Sequence, residues 1–216
     1  FASWTKQYID HLVEARQPSD LAAGLRLHEE SWQNRGAHKE FKLLSESIRF
    51  EARELVDGFL GSHTFEPERV VGTELDIALD ENWDVTGWFD KDAFFRAKLD
   101  LATLPASNDG KTVGITDYKT GHAAWSEEET KNSSQLRRYA VAMKSFLPNT
   151  DRFEVTLDFV RSGIVRGPYP FEPEAADEER QRRAHEEGGD EQADEVQDPR
   201  PPRRGGGTSV STRTES

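Results

Sequence analysis

Apolar positions recur every three to four residues through the first third of the chain. They then recur every two residues in short stretches between Val71 and Tyr169. The helical period predicts a first helix from Trp4 to about Arg16, with Ser3 as its N-cap. Gln17-Pro18-Ser19-Asp20 reads as a break followed by a new cap. A second helix follows, with Leu21, Leu25, His28 and Trp32 near one face. A third is predicted from about Ala37 to Leu60 on the spacing of Phe41, Leu44, Ile48, Ala52 and Leu55, and Gly61 and Pro67 mark the loop after it. The period then changes. Val71, Thr73, Leu75, Ile77 and Leu79 alternate with Gly72, Glu74, Asp76 and Ala78, the pattern of a half-buried strand. Further strands are predicted over Asp84–Phe89, over Phe94–Ala102 with Phe95, Ala97, Leu99 and Leu101 on one face, and over Thr112–Lys119. Asn108-Asp109-Gly110 gives a turn before the last of these. A long helix from Glu127 to Leu147 is stopped by Pro148-Asn149, and Arg152–Val160 and Ile164–Tyr169 form a closing hairpin around Ser162-Gly163. Three helices, four strands, one helix and two strands make an α/β or α+β sandwich. No internal repeat is visible.

The periodicity ends near Glu172. From there to Ser216 acidic residues dominate, large apolar side chains are almost absent, and the segment closes on Pro201-Pro202-Arg203-Arg204-Gly205-Gly206-Gly207 and a Ser/Thr-rich tip. Such a segment cannot bury enough apolar surface to offset its chain entropy. The expected organisation is therefore one domain over residues 1–171 and a disordered acidic, Arg-Gly tail over 172–216, in which Glu172–Glu191 forms at most a transient charged helix.

Composition narrows the chemistry. The 216 residues suffice for an ordinary core, and no apolar run approaches a membrane span. The N-terminal stretch lacks a signal-peptide pattern, and with no cysteine in the chain a reducing, cytoplasmic setting is expected, cellular or phage-encoded. The absence of cysteine removes disulfides, thiolate zinc sites and cysteine-held iron–sulfur clusters. A net charge of −13 argues against a generic basic nucleic-acid binder. Acid excess with more Arg than Lys also fits a salt-adapted protein, whose fold would need molar salt.

The candidate chemistry sits on two predicted neighbouring strands. Asp117 and Lys119 are two apart and share a face with Val113 and Ile115. On the preceding strand Asp100 shares its face with Arg96 and Lys98. If a turn makes the strands antiparallel, Asp100 and Asp117 meet at one end of the sheet. Two carboxylates so placed repel unless a positive group lies between them. A hard divalent cation with oxygen ligands resolves the repulsion, and Lys119 adds a charge suited to a developing phosphorane. Taken alone, Asp-x-Lys is more often a solvated surface pair.

Its surroundings change that balance. Asp117-Tyr118-Lys119-Thr120-Gly121, followed by Gln135-Leu136-Arg137-Arg138-Tyr139, resembles the RecB-type branch of the PD-(D/E)XK nucleases. Gly24-Leu25-Arg26-Leu27-His28, Glu74 and Asp100 fall where that branch has its helical histidine, its first-strand acid and its hairpin aspartate, in the same order. The resemblance implies a restriction-endonuclease-like core, a central mixed sheet flanked by helices. It also implies Mg²⁺ or Mn²⁺ held by His28, Asp100, Asp117 and the Tyr118 carbonyl, with Lys119 activating water and Glu74 supporting the site. Gln135, Tyr139 and Arg138 would hold the nucleic-acid strand. The implied activity is phosphodiester hydrolysis of DNA, as an exonuclease in recombination, repair or phage DNA processing, possible partners being a helicase or recombination protein. Exonuclease rather than endonuclease rests on Gln-x-x-x-Tyr alone. Three departures stand out: Ala97 occupies a position often held by Gly, the four cysteines of the iron–sulfur subfamilies are missing, and so is the N-terminal Cys-Pro pair.

Plainer readings exist for each residue. A lone histidine on an amphipathic helix such as His28 is usually core or surface, Glu74 shares a polar face with Asp76, and Tyr139 falls on the apolar stripe of Leu136, Ala140, Met143 and Leu147. Arg137 and Arg138 fit a solvated helix face, and His11, His38, His63, His122 and His185 read as structural. Trp125, just after Gly121-His122, is a candidate for base stacking. At the level of the whole chain the alternatives are a catalytically inactive nucleic-acid-binding or interaction domain of the same fold, and a module whose acidic tail recruits a basic partner. Oligomeric state is not legible.

Overall fold

Among the described residues six strands form one mixed sheet, in the spatial order Val85–Thr86, Val70–Leu79, Phe95–Thr103, Thr112–Lys119, Arg152–Phe159 and Ile164–Phe171. The computed structural model describes residues 1–36, 46–104, 111–171 and 181. The chain divides into Phe1–Gln181 and Arg182–Ser216, and the second unit lies outside the described residues. So do the start of the expected third helix with Phe41 and Leu44, the Asn108-Asp109-Gly110 turn, His38, His185 and the tail positions other than Gln181. The helices are α1 Ala2–Ala15, α2 Leu21–Gly36, α3 Glu46–Ser62, α4 Glu127–Lys131 and α5 Ser134–Phe146. The strands are β1 Val70–Leu79, β2 Val85–Thr86, β3 Phe95–Thr103, β4 Thr112–Lys119, β5 Arg152–Phe159 and β6 Ile164–Phe171. Neighbouring strands are antiparallel except β4 and β5, whose parallel pairing sets Asp117 beside Leu157 and Lys119 beside Phe159. That parallel step needs a crossover, which α4 and α5 supply.

Two apolar clusters cover the two sides of the sheet. On one, Leu136, Tyr139, Ala140 and Met143 of α5 pack on Leu99, Ile115, Val155 and Leu157. On the other, Trp4, Tyr8, Ile9 and Leu12 of α1 meet Val56, Phe59 and Leu60 of α3. Phe59 is fully buried and touches the rings of Phe1, Trp4, Phe65, His63 and Tyr118. Truncating it to Ala removes all five contacts, so Phe59→Ala is expected to cost about 3–5 kcal/mol in chemical denaturation; a loss below ~1 kcal/mol would show that this cluster does not anchor α3.

Several sequence expectations are corrected. Ser3 lies inside α1, because the Phe1 carbonyl already accepts from Thr5 N–H at 2.9 Å and Phe1 is the N-cap. Asp20 does cap α2, accepting from Ala23 N–H at 2.9 Å, but Leu21 stays 59% exposed, and Ala23, Gly24 and His28 are buried instead. The face of α3 turns on Val56, Phe59 and Leu60, leaving Ile48 43% exposed. The strand expected over Asp84–Phe89 shrinks to Val85–Thr86, since the Gly87 carbonyl accepts from Asp90 N–H and turns the chain. The single helix expected over Glu127–Leu147 is two: Ser126 closes a capping box with Glu129 for α4, and Ser133 caps α5. In β6, Pro168 and Pro170 lack the donors a central strand needs, which an edge position tolerates.

Candidate active site

Asp117 and Lys119 stand at the C-terminal end of β4, beneath α5. Asp117 is 5% exposed. Its Oδ1 accepts from the Tyr139 hydroxyl at 3.1 Å, and that hydroxyl accepts from Gln135 Nε2 at 2.6 Å. Gln135 Oε1 in turn accepts from Lys119 Nζ at 3.0 Å, and Lys119 Nζ lies 2.5 Å from Asp117 Oδ2 as an ion pair. The four side chains form a closed ring joining β4 to α5, with Gln135 and Tyr139 brought to one face by their i, i+4 spacing. The Lys119 contact lacks hydrogen-bond geometry, so Asp117 Oδ2 is a buried carboxylate oxygen without a hydrogen-bond donor. The ion pair neutralises charge, but a buried acceptor without a hydrogen-bond donor still retains much of its desolvation cost.

Asp100 joins this ring from β3. The pairing of Leu101 with Thr116 puts Asp100 and Asp117 next in register, and Asp100 Oδ2 accepts from Tyr118 N–H at 2.7 Å. The sheet also reverses its faces here. Leu99 packs in the α5-side cluster and Leu101 in the α1-side cluster, although they are two residues apart. On the paired strand Thr73 donates to Asp10 of α1 while Leu75 packs on the α5 side. Between them Glu74 takes φ 47°, left-handed for a non-glycine residue. This inversion removes Asp100 from the face of Arg96 and Lys98, where alternation had placed it. Glu74 is bridged by Lys98 at 3.3 Å, and Lys98 also reaches Asp76 at 3.4 Å. Burial pushes the Asp100 carboxyl up to about 6, and the charges of Asp117 and Glu74 add to the rise against the opposing pull of Tyr118 N–H and Lys119.

The donor chemistry fits a hard divalent cation. Three acidic side chains share one part of the sheet, the pKa of one is raised by burial and then by its acidic neighbours, and one carries an oxygen without a donor. Among the described residues no three His, Asp or Glu side chains already converge as a complete ligand cage. His28 is 8% exposed, tilted against Trp32, and lines a cleft of about 340 Å³ with Trp4, Val56, Thr120 and Arg161. Burial and the nearby Arg53 hold its imidazole below the usual range, in the neutral form that ligates metals. Thr120 follows Lys119 directly, so this cleft adjoins the site, but no described contact joins His28 to Asp100 or Asp117. Gly24 seats the helix that carries His28: a Cβ there would fall 2.5 Å from Leu60 Cδ2, and its carbonyl accepts from Trp4 Nε1 at 3.0 Å. Arg138 is exposed on α5, three residues beyond Gln135.

Two features escaped the sequence. Arg161 donates to the Thr120 carbonyl at 3.2 Å and to Glu51 at 3.3 Å, tying the chain after Lys119 to α3. His63, taken as structural, pairs with the buried Asp158 behind Tyr118. Both contacts span more than forty residues, and no local pattern marks them.

No curated protein matches the chain at a significant level. A family model of the PD-(D/E)XK nuclease superfamily matches residues 4–207, which takes in the whole sheet and the ring around Asp117, and the chain belongs to that superfamily of metal-dependent nucleases.

Proposed function

We propose that this chain is a Mg²⁺- or Mn²⁺-dependent deoxyribonuclease of the RecB type, acting as an exonuclease in recombination, repair or phage DNA processing. The observation that carries the reading is the ring Asp117–Tyr139–Gln135–Lys119, which ties the Asp-x-Lys pair to the Gln-x-x-x-Tyr helix through hydrogen bonds and an ion pair. Asp100 and Asp117 would hold the cation, with His28 and the Tyr118 carbonyl as further ligands and Glu74 in support. The cation, when bound, supplies Lewis acidity toward the phosphodiester and lowers the pKa of water. Lys119 orients the attacking water and meets the charge that develops on phosphorus. Tyr139 and Gln135 fix Asp117 and Lys119, so little reorganisation is needed during the reaction. Gln135 and Arg138 line the approach for the strand, while Tyr139, expected to hold it as well, is buried at 5% exposure and serves to fix Asp117; with a net charge of −13 the cation must carry much of the phosphate binding.

The test compares linear and covalently closed circular DNA with Mg²⁺, Mn²⁺ or EDTA. Degradation of linear DNA that requires either metal, with circular DNA spared, is the expected result. Equal attack on circles replaces exonuclease by endonuclease, and cleavage that persists in EDTA defeats the metal-dependent reading altogether.

A further inference from the structure

Trp125 is held beside Lys119 in a way that the ring of site residues does not require. Its indole is 36% exposed, and Lys119 Nζ lies 5.6 Å from the ring centroid. The backbone beneath it is fixed on both sides. Arg166 of β6 donates to the Trp125 carbonyl at 3.2 Å, and the next residue, Ser126, is locked into the capping box of α4. Phe159 of β5 meets the indole edge-on at 6.3 Å and buttresses it from within the sheet. A large aromatic on a connecting segment normally turns inward or moves freely. This one is pre-organised, with Lys119 over its ring and 36% of its surface open, within a nucleotide's reach of the lysine that would meet the scissile phosphate. Lys131, 5.6 Å from the Tyr169 ring centroid, and Arg166 add positive charge on the same α4–β6 side, offset by Glu127, Glu128 and Glu129 at the start of α4.

We infer that Trp125 is a stacking platform for the nucleobase next to the scissile phosphate, and that the preferred substrate is therefore an unpaired DNA strand. The inference rests on the nuclease reading above and adds to it the substrate class. In a duplex both faces of a base are occupied by its neighbours, so a base can lie on Trp125 only if the strand is single or its end is frayed. Aromatic stacking of this kind tolerates any sequence, because every base has a π-face. It also needs few basic residues, which suits so acidic a chain.

The experiment measures kcat/KM on single-stranded oligonucleotides, on blunt duplexes, and on single strands carrying one abasic residue at successive positions, for the wild type, Trp125→Leu and Trp125→Tyr. Leu keeps apolar packing against Phe159 without a π-face, and Tyr keeps a face. Wild type should favour the single strand. Trp125→Leu should lose about 5- to 150-fold on it, Trp125→Tyr much less, and little should change on the duplex. An abasic residue beside the cut should slow the wild type by a similar factor and leave Trp125→Leu nearly unaffected. Equal rates on single and double strands, or Leu and abasic penalties that multiply instead of overlapping, overturn the inference while leaving the nuclease reading intact. Should no DNA be cleaved with either metal, the nuclease reading fails. Anisotropy titration of a labelled single strand in Ca²⁺ and in EDTA then decides the platform by itself: weaker binding by Trp125→Leu than by wild type supports it, and equal binding refutes it.

Discussion

Lys119→Gln is expected to lower kcat/KM for DNA cleavage by about 10²–10³-fold, and Asp117→Asn by at least as much. Removing one group positioned for transition-state charge typically costs two to three orders of magnitude, and Asp117, which pairs with Lys119, would also supply a donor oxygen to the proposed cation. The difficulty is that Asp117 is buried, so removing Lys119 alone strands a carboxylate, a change that usually costs about 3–5 kcal/mol. A loss of activity would then be open to explanation by unfolding. The double variant Asp117→Asn/Lys119→Gln separates the two. It removes both charges together and keeps acceptors for the Tyr139 hydroxyl and partners for Gln135. Thermal unfolding in EDTA should place Lys119→Gln well below wild type and the double variant close to wild type, while cleavage stays at least about 10²-fold down in both. Restored stability accompanied by restored cleavage would remove Asp117 and Lys119 from the chemistry.

The pair was legible because β4 is a strongly alternating strand. Val113, Ile115 and Asp117 carry the period of two, and the strand begins and ends at the residues that the pattern predicts. The partnership with α5 was legible only through the family resemblance, since a contact from residue 119 to residue 135 leaves no trace in local periodicity. Glu74 marks the other limit. A left-handed non-glycine residue in mid-strand has no compositional signature, so strict alternation kept Asp100 with Arg96 and Lys98. The observed inversion instead turns it toward Tyr118 and Asp117. Such a conformation costs about 1–3 kcal/mol and is retained where its surroundings enforce it. Here it occurs where an acidic cluster has to be assembled. The break between α4 and α5 was missed for a different reason. Ser133 is a good N-cap, but it stands inside a polar run that also fits the exposed side of one long helix.

Asp100→Asn should make the cation-free protein more stable while ending its activity. The folded-state carboxyl is raised to about 6 from an ordinary 3.8, by burial first and then by Asp117 and Glu74. A raised acid binds more protons folded than unfolded between these values, so its contribution to stability is complete below about pH 4 and is lost as pH rises through about 6. In EDTA, the amount by which Asp100→Asn melts above wild type should therefore be larger at pH 8 than at pH 5. Asn keeps an acceptor for Tyr118 N–H and removes the charge. Allowing for solvent screening of a site at the sheet's end, the gain at pH 8 is about 1–3 kcal/mol, or roughly 2–10 °C in Tm for a domain of this size. Millimolar Mg²⁺ should raise the Tm of wild type and scarcely move the variant, because a cation that relieves crowded carboxylates stabilises by its affinity for the folded state. An unchanged wild type–variant difference between pH 5 and pH 8, or a variant that melts below wild type at both, would mean that Asp100 is not held under electrostatic stress. The acidic cluster would then be ordinary polar surface and not a site kept unstable in the absence of its cation.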